Sequence, residues 1–397
     1  MRLAKSATRI YSQVKKEILQ IIRRPATFLG LVLGPFAILA LLGFGYTGVR
    51  PAVETVLVIP PDLTISRDVA FYQDLAGPAV HVLRIDEDPT AAREQLGRQE
   101  LGLVVVAPAE GVQAVREGRR AQIEIDYNEV DPTLRAYIGF LAQGFTSELN
   151  RQILTQVAAG GEDWILQGAD PGTSLSIPPE VIAAPTEAVA LNLAPTQPGV
   201  LAFFVPAVLA LVLQHMAVTL SALSFVRERE AGALELFRVS PVNSFELLLG
   251  RVIGFGLVAA IMAVAVTAGA VSIANVPVLA DPVLIAGVIA MLVFASLMLG
   301  LFVSVISSTE RQAVQLSLLL LLASVFFSGF VLPISDFGPV VQSVAYTLPV
   351  THAIQLLQDL MLRGTTITPW HYTALAVTIV ALVLATTLLL RRLMSKG

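Results

Sequence analysis

Six apolar runs decide what this chain can fold into. Residues 26–46, 199–225, 248–272, 283–306, 313–333 and 371–391 contain no Asp, Glu, Lys or Arg except Arg251 and Arg391, each near one end of its run. About 20 helical residues cross a hydrocarbon core of about 30 Å. Backbone polar groups have no water to bond inside lipid, so a lone apolar run of that length crosses as a helix. The expected architecture is an all-α six-span transmembrane bundle. Composition agrees: 55% of the 397 residues are hydrophobic and 14% charged, against about 25% charged in ordinary soluble domains.

Charge sets the expected orientation. Arg2, Lys5, Arg9, Lys15, Lys16, Arg23 and Arg24 precede the first run, against the single acid Glu17. Short flanks rich in Lys and Arg stay in the cytoplasm. Six crossings then return the C-terminus to the same side, where Arg391, Arg392 and Lys396 lie. Arg227, Arg229, Arg238 and Arg311 fall in loops expected inside, while 273–282, expected outside, has no Lys or Arg. Both termini are thus expected in the cytoplasm, with the chain multi-pass in the cytoplasmic (inner) membrane. Within residues 1–25, Ile10, Val14, Ile18, Ile21 and Ile22 recur at helical spacing opposite basic side chains, the pattern of an amphipathic helix lying in the membrane surface. The run 26–46, interrupted by Gly34-Pro35, is too long for a signal-peptide core and reads as a retained first span.

Residues 50–197 return to soluble composition and should form an inserted extracytoplasmic α/β domain. Strand-like runs occur at 52–59, 79–85, 101–107 and 121–127, with helical or turn-rich pieces at 89–99 and 110–116 between them. A long helix is expected over 131–158. Residues 160–198, rich in Gly, Pro and Ala, read as a return linker. Spans two to six then occupy 199–391. Residues 334–369 are too polar to span and too apolar for a plain loop, so outer-side helices are expected there, with Gly364 as a C-cap.

Between the second and third spans sits a charged island. Arg227, Glu228, Arg229 and Glu230 alternate in sign, Leu234 and Phe237 share a helical face, and Pro241 stops the helix. Asn243 and Glu246 can cap a second helix. A membrane anchor needs only positive charge. Here Arg227, Arg229, Arg238 and Arg251 are balanced by Glu228, Glu230, Glu235 and Glu246, which suits a folded surface that docks on another protein.

Catalytic sets are missing. The chain has no Gly-x-x-x-x-Gly-Lys-Ser/Thr phosphate loop, no Gly-x-Ser-x-Gly elbow and no His-Glu-x-x-His pair. It has no cysteine and only four histidines, of which His81 and His352 lack metal-ligand spacing. No metal site, no cofactor bound by this chain and no catalytic residue is expected. A net charge of −4 gives no reason to expect a nucleic-acid partner. Inside the spans the polar side chains Gln214, His215 and Thr219 in the second and Gln312 and Gln315 in the fifth either bond neighbouring helices or line a path. Gly250, Gly254 and Gly256 suggest close helix contacts in the third span.

The run Arg-Glu-Arg-Glu-Ala-Gly-Ala-Leu-Glu-Leu-Phe-Arg-Val-Ser-Pro-Val from Arg227 resembles the signature of permease subunits of type-2 ATP-binding-cassette exporters, departing from it at Ala233 and Phe237. The subgroup it is similar to carries a large extracytoplasmic domain after the first span. Ser328-Gly329, Pro333, Pro349 and Arg363 are similar in order to that family's outer-side hairpin. The resemblance implies that residues 227–247 form a cytoplasmic coupling element, with Arg227, Glu228, Arg229, Glu230, Gly232, Leu234, Glu235, Phe237 and Pro241 touching a separate nucleotide-binding ATPase subunit that holds ATP and Mg. It implies a second permease copy or a sister permease, a lipid surround, and export of a hydrophobic or amphipathic compound such as a drug, a lipid or a lipid-linked polymer. The alternative is a membrane-anchored receptor or assembly protein acting through its extracytoplasmic domain.

Overall fold

The computed structural model describes residues 52–61, 63, 66–160, 178–232, 244–274 and 276–395. Expectations for residues 1–25, for the run 26–46, and for Leu234, Glu235, Phe237, Pro241 and Asn243 lie outside them. The described chain divides into an α/β unit, which ends at Phe203 but regains Leu362–Ile367, and a helical unit made of Phe204–Met361 and the chain from Thr368 onward.

In the α/β unit, β1 (Val53–Val58), α1 (Val69–Ala76), β2 (Val80–Asp86), α2 (Pro89–Gly97), β3 (Leu103–Val106), α3 (Gly111–Arg116), β4 (Ala121–Tyr127), α4 (Pro132–Gly160), α5 (Pro179–Ala183) and β5 (Thr186–Asn192) follow in order. The strands form one sheet in the order β2-β1-β3-β4-β5, parallel except between β3 and β4. Period-two alternation sorts the core into two layers. Leu57, Ile59, Leu103, Val105, Ile123 and Ile125 pack with α1 and α4 on one face, and Val56, Val58 and Val104 pack with Ala92 and Leu96 of α2 on the other. Asp68 and Asp88 cap α1 and α2, and Pro89 opens α2, where its missing N–H costs nothing. Two elements depart from expectation. Helix α1 has no counterpart in the sequence reading. Residues 186–192, read as part of a linker, form β5 in register with the whole of β4 from Ala121↔Thr186 to Tyr127↔Asn192. Asn150 of α4 fixes the start of β5, accepting from the Thr186 N–H at 2.8 Å and donating to its carbonyl at 3.0 Å.

The helical unit consists of α6 (Val200–Ala222), whose first turn still belongs to the α/β unit, α7 (Ser224–Glu230), α8 (Ser244–Ala274), α9 (Pro282–Ile306), α10 (Glu310–Phe327), α11 (Pro339–Ala345), α12 (Pro349–Gln358), a π turn (Asp359–Arg363) and α13 (Trp370–Ser395). Five helices among the described residues, α6 continuing into α7, α8, α9, α10 and α13, are long and apolar enough to cross a membrane, and the chain is a helical membrane protein. Helix α9 is the most buried of them and touches α7, α8, α10, α12 and α13. At one point it also approaches α6 closely: a Cβ added at Gly300 would overlap Ser221 Oγ and the Val218 carbonyl oxygen. Close backbone approach at small residues is how helices associate in lipid.

The sequence placed such contacts at Gly250, Gly254 and Gly256. That expectation is corrected here. Among the described residues nothing lies within 4 Å of a Cβ at the first two, and a Leu297 methyl, at 3.9 Å, approaches the third. The expected fifth span, 313–333, is also shifted: α10 runs from Glu310 to Phe327. Gly329, at φ +88°, then turns the chain in a conformation that glycine adopts without steric cost. The short helices expected in 334–369 are present, and Gly364 takes φ +78° after the π turn.

Candidate functional site

The α6–α7 junction breaks at Leu223, which leaves the N–H groups of the next turn without helical acceptors. Ser304 of α9 supplies one: its Oγ accepts from Phe225 N at 2.8 Å and Val226 N at 3.3 Å. The kink is therefore held by a neighbouring span. Just before it, Ser221 Oγ donates to the α9 carbonyl of Leu297 at 3.1 Å.

The four alternating charges of α7 then tie it to three neighbouring helices. Arg227 reaches Glu310 at 3.3 Å on the exposed side. Glu228 pairs with Arg251 of α8, whose guanidinium also donates to Ser224 and lies 4.0 Å from the Phe225 ring centroid. Arg229 donates to the carbonyls of Ser307 (2.6 Å) and Val305 (3.1 Å), placing a cation on the negative end of the α9 dipole. Glu230 accepts from the Glu310 backbone N–H at 3.2 Å, at the start of α10. Gly232, at φ +71°, closes the element. A seven-residue helix is thereby tied to α8, α9 and α10. Arg227, Glu230, Ala231 and Gly232 remain exposed, so the outer face of the element is open to a partner.

The five polar side chains expected along a path do not converge. Gln214 is buried and donates to Ser324 Oγ of α10 at 2.7 Å. His215 is half-buried, with Nδ1 unpaired, and Thr219, one turn on, is exposed. Gln315 is half-buried. Gln312 serves α10 itself: its carboxamide oxygen accepts from Ser308 N at 2.8 Å while Thr309 Oγ1 accepts from Gln312 N at 3.3 Å, a reciprocal capping box. A cavity of about 660 Å³ lies instead between α8 and α9. Gly256, Ala260, Ala263, Ala286 and Ala290 line it, and none of the five polar residues does.

Sequence reasoning missed a second polar junction. His352 of α12 and His371 of α13 meet Nδ1 to Nδ1 at 2.9 Å, and His352 Nε2 donates to the Tyr346 carbonyl at 2.9 Å. Both rings are buried, and Trp370 stacks on His371 at 4.0 Å between centroids. Burial pushes the His352 ring below the ordinary histidine range, with the Tyr346 hydrogen bond working in the opposite sense. The 19-residue separation matches no ligand spacing. Only the fold of 339–371 brings the rings together.

With this geometry in place, similarity to known proteins can be weighed. The model of the ABC-2 family transporter proteins matches residues 25–388. The chain belongs to the ABC-2 transporter family. Among its ABC-2 relatives, the inner membrane transport permease YhhJ of Escherichia coli is 28% identical over 153 residues, 38% of this chain and 40% of YhhJ. The probable multidrug ABC transporter permease YbhR of the same organism is 24% identical over 168 residues, 41% of this chain and 44% of YbhR. YbhS, with the same description, is 22% identical over 362 residues, 90% of this chain and 89% of YbhS. The chain thus matches less than half the length of YhhJ and YbhR. This ABC-2 chain is a membrane component, and α7 lies well inside the region that the family model covers.

Proposed function

We propose that this chain is the membrane-spanning permease of an ATP-driven exporter, with six spans, both termini in the cytoplasm and the α/β unit outside. ATP and Mg belong to a separate nucleotide-binding subunit, and a second permease copy or a sister permease completes the complex. The observation that carries this reading is the way α7 is tied down. A surface that only met a partner would need exposed charge, whereas α7 also bonds α8, α9 and α10 through Arg251, Ser304, Val305, Ser307 and Glu310. A push on Arg227 and Glu230 is therefore delivered to three spans at once. Packed helices respond to such a load by switching between discrete arrangements.

Cargo follows from the lining chemistry. The α8–α9 groove is apolar and the spans lack charge over most of their length, so a hydrophobic or amphipathic molecule is favoured over a bare ion. The relatives described as multidrug permeases point the same way. His215, Thr219 and Gln315 are the polar side chains to contact it during passage, with Gln214 holding α6 to α10 behind them. The test replaces Glu230 and Glu235 with Lys in the assembled transporter. Cargo-stimulated ATPase activity and export should fall to background while the chain still inserts. Undiminished export by that variant, or consistent purification of the wild-type chain without an ATPase subunit in mild detergent, would overturn the reading.

A further inference from the structure

Among the described residues of the helical unit, the imidazole pair joining α12 to α13 is a buried cluster of titratable side chains that coupling and transport do not use. Its hydrogen positions follow from chemistry. A carbonyl oxygen only accepts, so His352 Nε2, at 2.9 Å from the Tyr346 carbonyl, carries a hydrogen. Neutral His352 then has a bare Nδ1, and His371 must present Nδ1–H to it across the 2.9 Å gap. His371 Nε2 is left with the lone pair, where a first proton enters without disturbing the bond. The Trp370 ring, stacked on His371 at 4.0 Å, offers its electron-rich face to that cation. A second proton has only His352 Nδ1 to occupy. Two N–H groups on two cations would then face each other with no acceptor between them, and the rings must part.

We propose that His352 and His371 form a proton-operated clasp, which holds α12 against α13 with no proton or one added and releases it when a second binds. The surroundings suit that role. Tyr346, stacked with His352 at 6.0 Å and 6.5 Å from His371, is the titratable side chain facing both rings. Helix α9, packed against α12, has no Asp, Glu, Lys, Arg or His between Pro282 and Ile306. On α10, Glu310 and Arg311 lie in the first turn, and on α13 Arg391 and Arg392 lie about 30 Å along the helix from His371. Asp336 sits in the turn before α11, and Asp359 is seven residues beyond His352, about 10 Å along the helix. Among the described residues, the hydrogen bonds given for the two imidazoles run to each other and to the Tyr346 carbonyl. Water has a route, because Trp370 is 45% and Tyr346 36% exposed over rings that are 5% and 1% exposed. Thr351 Oγ1, donating to the Ala345 carbonyl at 2.7 Å, keeps α11 and α12 together when the imidazoles separate. The device is thus confined to the α12–α13 contact.

Trp370 reports on the first proton, since a His371 imidazolium quenches the indole stacked on it, and hydrogen exchange reports on the release. The chain has two tryptophans, so Trp164→Phe in lipid nanodiscs isolates the signal. From about pH 8 to pH 4, a range that brackets the ordinary histidine value, Trp370 emission should fall about two-fold in a sigmoid. The transition should vanish in His371→Gln, and His352→Gln, which leaves His371 without its imidazole acceptor, should shift its midpoint, each made in that background. A flat wild-type trace, a transition that survives in His371→Gln, or a midpoint unmoved in His352→Gln, overturns the proposal. Hydrogen exchange on the unmodified chain decides the matter independently of those variants: after correction for intrinsic pH dependence, backbone protection of 349–358 should drop about ten-fold in acid, while 282–306 stays unchanged. Equal protection of 349–358 at both pH values overturns it too.

Discussion

Two short helices lean on α9, and they are fastened in different chemistries. Helix α7 is held by guanidinium groups, carboxylates and one serine hydroxyl; α12 meets α13 through two imidazoles. Arginine keeps its charge at every physiological pH, and histidine does not. The first junction is therefore permanent, suited to passing a load at any pH, and the second is conditional. One bundle thus carries a fixed joint and a titratable one on the same central span.

The sharpest way to break that comparison is to damage the span both joints share. Gly300→Val pushes a branched side chain into the α6 backbone and should cost about 3 kcal/mol or more, seen as a lower unfolding temperature in detergent. It should loosen α7 and leave the Trp370 titration intact; a shifted titration would mean that the two junctions are not separable. Arg229→Ala comes next. It removes two charge-assisted bonds to the α9 end and should destabilise by about 2 kcal/mol, equally at pH 8 and pH 5.5. Ser304→Ala orphans the Phe225 and Val226 N–H groups and should cost about 1.5 kcal/mol, and Ser304→Thr should recover much of it.

The pH dependence of the wild type tests the other joint. His352 has its folded value pushed down by burial, so the unfolded chain binds the proton more readily. Stability is then full above the ordinary value of about 6.5 and declines as pH falls from there toward the depressed folded value. His352→Gln should flatten that decline, whereas an unchanged pH profile would count against a neutral buried imidazole. The smallest effect belongs to Arg227→Gln. Its ion pair with Glu310 is solvent-exposed and worth under about 1 kcal/mol, so melting should barely move, while ATPase coupling should suffer.

Much of this architecture is legible in the chain itself. Charge-free runs place the described spans to within a few residues, and alternation finds four of the five strands. The misses share a cause. Residues 186–192 look like linker because Ala, Asn and Glu carry little strand preference; β4 alongside and the Asn150 side chain make them a strand. The close helix approach falls at Gly300 rather than at Gly250 or Gly254, because a glycine does not reveal which helix it will face. The alternating charges of 227–230 are plain in sequence, but their partners, Glu310, Arg251 and the end of α9, are 23 to 83 positions away. The imidazole pair needs the turn between α12 and α13 before its 19-residue gap closes.

The short segment Leu362–Ile367 carries a last consequence, for anyone dissecting the molecule. It belongs to the α/β unit although the chain on both sides of it is helical-unit sequence. Within that unit Arg363 pairs with Glu129 at 3.1 Å, both largely buried, and Thr196 donates to the Leu362 carbonyl at 2.7 Å. A gene fragment stopping at residue 203 would leave a buried acid without its counter-ion, a penalty of several kcal/mol. Splicing residues 362–367 back through a flexible glycine-serine tether should restore solubility to such a fragment. The unit is thus sewn into the transporter by a second thread and cannot be lifted out as one continuous piece.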